Sequence, residues 1–151
     1  MKTNAVSVGD LGSIVFEDGC ATITIGDHVN RFSCCKEDEE TLTHMMDVIA
    51  HGSGLYGTDM VDFASVFERC SNHRFLTYPN RKLNAADSPV AWSESKAAIL
   101  FVTGGPDMGL SDVNRIVEET VKCYPAETEI LITAENSGSM PEGYCTLCVL
   151  E

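Results

Sequence analysis

Cys145 and Cys148 are separated by two residues, the spacing of a zinc knuckle or a thiol–disulfide redox pair. One metal ion, or one exchanging disulfide, needs both sulfurs on the same side of the chain. Tyr144 to Leu150 has a strand's composition, and in a strand residues i and i+3 point to opposite faces, so the sequence separates the two thiols. His44 and His51 are seven apart on one face of a predicted helix. Two helical turns part them by about 10 Å, too far for one ion, and a solvated face opposite the apolar stripe is the better reading.

Gly104-Gly105-Pro106-Asp107 lies between a predicted strand and a predicted helix, where exposed backbone amides can hold a phosphate. No Gly-Lys-Ser/Thr follows, and Asp107 and Asp112 would repel the anion, so a tight structural turn is expected. Asp62, His73 and Glu94 are ionisable residues that nothing in the sequence brings together. Gly-x-Ser-x-Gly, His-Glu-x-x-His and paired Cys-x-x-Cys motifs do not occur. No metal and no cofactor is expected.

The elements that must position these residues follow from periodicity. Ser13 to Phe16 and Ala21 to Ile25 are β-prone runs joined by Glu17-Asp18-Gly19-Cys20, which predicts a hairpin, with a third extended piece over Val29 to Cys34. From Glu37 the period changes. Leu42, Met45, Met46 and Ile49 form one apolar stripe on a helix over 37–51, with the acidic run Glu37 to Glu40 in its first turn. Gly52-Ser53-Gly54 and Gly57 break it, and a short helix is expected from Asp62, whose side chain is suited to cap it. Arg74 to Tyr78 is predicted as a strand, and a short helical piece is placed around Leu83 to Asp87.

Ala97 to Val102 is a continuous apolar run, as in a strand buried on both faces. Ser111 is the expected cap of a helix carrying Val113, Ile116, Val117 and Val121 on one face, while Arg115, Glu118, Glu119 and Lys122 offer two i, i+4 ion pairs on the other. Glu129 to Thr133 and Tyr144 to Leu150 are the last strands, joined by the loop Glu135 to Gly143. The fold class is α/β (α+β), a mixed sheet covered by helices.

With 151 residues, 44% of them apolar, the chain can bury a single-domain core. A net charge of −13 argues against nucleic acid as a partner. No apolar run reaches the roughly 18–20 residues of a membrane span, and Met1 to Asp10 lack a secretory apolar stretch, so a cytoplasmic protein with no membrane partner is expected. The seven cysteines then read as small buried hydrophobes with no disulfide framework.

Two segments add a resemblance. Ile49-Ala-His-Gly-Ser-Gly-Leu-Tyr-Gly-Thr-Asp-Met-Val-Asp62-Phe63-Ala64-Ser65-Val66 resembles the end of the central helix and the following loop of FtsZ, the bacterial tubulin homologue, which typically reads Val-Asp-Phe-Ala-Asp-Val after that loop. Ala98-Ile-Leu-Phe-Val-Thr-Gly-Gly-Pro-Asp-Met-Gly-Leu-Ser-Asp-Val-Asn114 resembles a strand–turn–helix of the same family's C-terminal domain. The resemblance covers about residues 37 to 151. The Gly-Gly-Gly-Thr-Gly-Thr-Gly loop with which FtsZ binds GTP has no counterpart in the sequence.

The resemblance implies an FtsZ/tubulin C-terminal-domain-like fold over 37–151, including the central helix at 37–51, with residues 1–36 as an added N-terminal β-hairpin. In FtsZ the loop after the central helix enters the next subunit's nucleotide site, where two acidic side chains place the attacking water. Here Asp62 matches the first, Ser65 occupies the second and Met60 replaces the usual Asn, so no enzyme is expected and Asp62 is the sole candidate for a catalytic role. A hydroxyl at Ser65 lacks the charge of a base near neutral pH.

The implied function is a non-catalytic module that associates with or caps FtsZ-type filaments in cell division or the cytoskeleton. Its interaction loop would be Gly54, Leu55, Tyr56, Gly57, Thr58, Asp59, Met60, Asp62 and Ser65. The alternative is a regulatory or small-molecule-binding homo-oligomer unrelated to division, using a pocket between protomers or beside the Thr103–Gly109 turn. Partners are full-length FtsZ or a second copy. The apolar stripe of the central helix must be covered by the hairpin or by another chain, the latter giving a homodimer.

Overall fold

The computed structural model describes residues 4–8, 12–51, 60–83 and 92–151. The chain begins with an antiparallel meander of four strands, β1 (Asn4–Val8), β2 (Gly12–Glu17), β3 (Cys20–Ile25) and β4 (His28–Ser33), paired in sequence order. The β2–β3 turn is Asp18-Gly19 with φ of 51° and 76°, the left-handed pair of a type I′ turn. Register pairs Ile14 with Ile23 and Ala21 with both Phe16 and Phe32, so the apolar residues share one face. The expected hairpin is thus the middle of a larger sheet, and the third extended piece is β4. β1 was not expected, because Asn4-Ala-Val-Ser-Val8 is a short alternating run whose extended form is fixed by pairing with β2.

A 3-10 turn at Lys36–Asp38 leads into α1 (Glu39–His51), and α2 spans Met60–Phe67. The stripe of α1 is buried as its period requires: Leu42, Met45 and Met46 are fully covered, with Val48 and Ile49 nearly so. On α2 the buried residues are Phe63, Ala64, Val66 and Phe67. α2 starts two residues before the position expected for it, so Asp62 sits inside its first turn and is not its N-cap. A carboxylate there still gains from the helix dipole.

The second sheet holds β5 (Phe75–Lys82), β6 (Ala97–Gly104), β7 (Glu129–Asn136) and β8 (Tyr144–Leu150) in the order β5-β8-β6-β7. β6 and β7 are parallel, joined across α3 (Leu110–Val121), and β8 runs antiparallel to both β5 and β6. β6 is buried from Ala97 to Val102, as its unbroken apolar run predicts. β5 continues past the expected Tyr78 through Pro79, with a register shift between Tyr78 and Arg81; an edge strand tolerates a missing N–H at such a bulge. β7 likewise runs beyond Thr133 to Asn136, because Ala134 and Glu135 keep pairing with β6. Of the helical piece expected at Leu83 to Asp87, Leu83 lies in a turn and the remainder falls outside the described residues.

α3 differs from expectation in three details. Its N-cap is Gly109, whose N–H donates to Asp112 Oδ2 at 2.9 Å, so Ser111 lies inside the helix. Its ion pairs are i, i+3, Asp112–Arg115 at 3.5 Å and Glu119–Lys122 at 2.9 Å, not i, i+4. Thr120, not Val121, follows Val113 and Ile116 on the buried face, and Val121 is 41% exposed. From Val113, seven residues close two turns and eight overshoot them. Thr120 is tolerated because its hydroxyl donates to the Ile116 carbonyl at 2.7 Å.

Two apolar cores result. The first joins the inner face of the meander, α1, α2 and one face of the second sheet, including Phe32, Phe63, Phe67, Phe101 and Cys148. The second lies between the other sheet face and α3, including Leu100, Val102, Val113 and Cys145. Cys145 and Cys148 therefore enter different cores, as strand alternation predicts. The meander also answers how the α1 stripe is covered: the added N-terminal sheet packs on it within the same chain.

At the C-terminal end of α2, Asn30 of β4 donates to the Phe67 carbonyl at 3.3 Å and His28 meets Glu68 at 2.5 Å. The sheets are tied directly where the Ser33 N–H donates to the His73 carbonyl at 2.8 Å. His73 holds a left-handed φ of 54° at this crossing.

Candidate functional site

Of the predicted interaction loop, Gly54, Leu55, Tyr56, Gly57, Thr58 and Asp59 lie outside the described residues, and Met60 opens α2. Asp62 and Ser65 are both exposed. Their i, i+3 spacing puts them on one face of α2, turned away from Phe63 and Phe67. His73 and Glu94 have other surroundings. His73 packs near Phe32, with ring centroids 5.8 Å apart, and Glu94 lies on a shallow cleft with Lys96 and Glu127. The structure therefore forms no joint site from Asp62, His73 and Glu94.

The Gly104-Gly105-Pro106-Asp107 turn is closed by its own hydrogen bonds. The Gly105 N–H donates to the Tyr144 carbonyl at 3.3 Å, and the Asp107 carboxylate accepts the Gly143 N–H at 3.0 Å. Asn136 donates from its amide to the carbonyls of Gly105 and Met108, both at 2.8 Å. A Cβ on Gly105 would stand 2.5 Å from the Pro141 carbonyl oxygen, and one on Gly104 would overlap the Met108 side chain. These glycines allow close packing between loops, and the amides of Gly105, Met108 and Gly109 are engaged within the protein.

Beside this turn lies a cleft of about 410 Å³, between the first turns of α1 and the carboxyl ends of β6 and β7. Glu37, Glu40, Thr41 and His44 line it from the helix side, and Phe101, Thr103, Glu135 and Thr146 from the sheet. His44 Nε2 hydrogen-bonds Glu135 Oε1 across it, and the His44 ring stands edge-on to Phe101 at 6.2 Å. His44 is exposed, as predicted, but it is partnered and not merely solvated. Glu135 was expected in a loop; the longer β7 places it opposite the helix. No sequence signal joins positions 91 residues apart.

A separate polar cluster is structural. Glu151, 1% exposed, takes Arg74 Nη2 at 2.6 Å, the Tyr124 hydroxyl at 2.5 Å and Asn72 Nδ2 at 3.3 Å. Burial, then the hydrogen bond to Glu151, hold the Tyr124 phenol protonated well above its ordinary range. Burial also pushes the thiols of Cys34, Cys70 and Cys148 up to about 12, so they act as apolar side chains at neutral pH. Cys35 is exposed, and its thiol is raised mainly by donation to Asp38 at 3.0 Å. Among the described residues, no three His, Cys, Asp or Glu side chains are grouped to hold a metal ion.

No protein-family model matches the chain, and no curated protein matches it in sequence. Solved structures do match its fold. An empty FtsZ dimer from M. jannaschii superposes with a TM-score of 0.57 at 17% identity, over 76% of this chain and 38% of that one. A Trp-to-Tyr mutant of FtsZ from the same organism gives 0.56 at 15% identity, over 76% and 39%. The fold is FtsZ-like, with the N-terminal meander as an additional sheet, and the chain spans about two fifths of the FtsZ chains it matches. No helix among the described residues is long and apolar enough to cross a membrane.

Proposed function

We propose that this chain is a non-catalytic, cytoplasmic interaction module that associates with FtsZ-type filaments through the junction of α1 and α2. The FtsZ-like fold is the observation that carries the reading, since an element shaped like one part of a filament subunit can dock where that part docks. Asp62 and Ser65 support it by their exposure on one face of α2, clear of the core. Ser65 in place of a second carboxylate argues for docking without hydrolysis. The net charge of −13 favours a basic or cation-bridged partner surface.

Co-sedimentation with polymerising FtsZ, in GTP and in GDP, tests the reading. Nucleotide-dependent binding or shortened polymers, weakened by Asp62→Ala, are expected; unchanged polymers and no pelleting at low and moderate salt would reject it. Self-association would need a surface other than the α1 stripe, which the meander covers.

A second reading, a small-molecule-binding regulatory domain, is favoured by one observation. The cleft beside Thr103 is of ligand size and lies next to the turn where the sequence places such a pocket.

A further inference from the structure

We propose that the outer edge of β1 pairs with β1 of a second copy of this chain, antiparallel, and so joins two meanders into one eight-stranded sheet. Docking at the α1–α2 junction does not require this contact. A sheet edge offers a row of unpaired backbone N–H and C=O groups, and proteins guard such edges with proline, charge, a bulge or a covering element. Three of the four edge strands are guarded in this way. β5 carries Pro79, Arg81 and Lys82 and a register shift. β7 begins with Glu129, tied to Arg69, and carries Glu135, tied to His44. β4 meets the rest of the chain through the Ser33–Arg74 bridge and through Asn30, which donates to the Phe67 carbonyl.

β1 has none of these devices. Asn4-Ala-Val-Ser-Val8 contains no charge and no proline, and its five residues pair with β2 in unbroken register. Among the described residues, β2 is the sole strand it pairs with. The lack of charge selects a second copy as the occupant. Two chains of net charge −13 repel each other, so they meet best where neither presents a carboxylate. An antiparallel self-pair of β7 centred on Ile132 would set Glu129 opposite Glu135. A self-pair of β1 centred on Val6 sets Ala5 opposite Ser7 and Asn4 opposite Val8 about a two-fold axis, with no like charges across it. In β2 the cross-strand partners of Ala5 and Ser7 are Val15 and Ser13, both half-buried, whereas those of Asn4 and Val6 are Phe16 and Ile14 of the core. Positions 5 and 7 can therefore be altered with little cost to the core. A five-residue strand pair is small beside the roughly 1,200 Å² of a stable interface, so the dimer is reversible and concentration-dependent.

Sedimentation velocity of the full chain over a concentration series is the test, with two variants. Ala5→Lys/Ser7→Lys sets like charges across the two-fold pair, and Ala5→Lys/Ser7→Glu sets opposite charges there. The wild type is expected to show a concentration-dependent dimer. The first variant is expected to weaken it roughly tenfold, although it makes the chain less acidic, and the second to keep or tighten it. A wild type that stays monomeric, or equal weakening by both variants, would overturn the proposal. Amide hydrogen exchange of the wild type supplies a readout that does not depend on the variants folding. Protection within Asn4–Val8 is expected to rise with protein concentration, and a rise confined to other segments would overturn the β1 pairing.

Discussion

The N-terminal sheet and the C-terminal sheet both have four strands, but their neighbours are chosen differently. The meander pairs β1 to β4 in chain order through short turns, whereas the second sheet is ordered β5-β8-β6-β7 and needs α3 as a crossover. Hairpin closure involves few residues and local turn chemistry; the mixed sheet forms only when distant segments meet. Yet one apolar core spans both, through Phe32 on one side and Phe101 and Leu150 on the other. A locally encoded sheet can therefore be an integral part of the structure and not an appendage. It buries the helix stripe that would otherwise be exposed.

The largest test of that comparison is truncation of an aromatic on each side. Phe32→Ala and Phe101→Ala should each cost about 3–5 kcal/mol and lower a single unfolding transition. Far-UV circular dichroism and the fluorescence of Trp92 should report the same midpoint. If Phe32→Ala produced an early transition to which Trp92 is blind, the meander would be an independent unit and the shared core would not be cooperative.

Next in size is Arg74→Leu, at the isolated bridge to Ser33 that joins the sheets. It leaves the buried Glu151 with only neutral partners, Tyr124 and Asn72, and should cost about 2–3 kcal/mol in urea denaturation. That lies below the usual loss for a fully buried pair, because the Arg74 side chain is 43% exposed. Gly105→Ala should cost about 1–3 kcal/mol through overlap with the Pro141 carbonyl, while Gly138→Ala, with open space around it, should be near neutral.

Alkali gives a graded effect. Cys34 and Cys70 have folded-state values near 12 against 9.0 unfolded, so the native state holds the protons more tightly. Stability from these groups is intact below pH 9, falls as the unfolded thiols ionise above it, and is fully lost once pH passes the folded values. The melting temperature should decline from about pH 9 upward, and less so in Cys70→Ala, provided its melt at neutral pH serves as the reference. The smallest perturbation is thiol labelling. In the native protein at pH 8, Cys35 should react first and Cys34, Cys70 and Cys148 only after unfolding, as mass spectrometry of iodoacetamide adducts would show.

Much of this was legible because local spacing forces it. The unbroken run Ala97 to Val102, closed by a turn, fitted a strand covered on both sides, and the Leu42–Met45–Ile49 spacing set the buried side of α1. Strand alternation likewise fixed Cys145 and Cys148 on opposite sheet faces. Other features were hidden for physical reasons. β1 is held by its partner, not by its own composition. Pro79 reads as a strand end unless β5 is known to be an edge. Gly109 rather than Ser111 caps α3, because the Asp112 side chain reaches back to its N–H, an arrangement as compatible with the sequence as the alternative.

The candidate cleft shows the same limit most clearly. His44 was visible as an exposed residue and Glu135 as a polar one, but their contact depends on how α1 lies across the carboxyl ends of β6 and β7. The sequence by itself determined the period of most elements, the buried face of α1, the β2–β3 turn and the acidic charge, since these arise from covalent geometry and nearest neighbours. Only the tertiary structure decided the strand order, the covering of α1 by the meander and the joining of His44, Glu135 and Phe101 at one cleft. Those choices are made by packing between segments far apart in the chain, where hydrophobic burial is non-directional and chain spacing carries no record of which faces will meet.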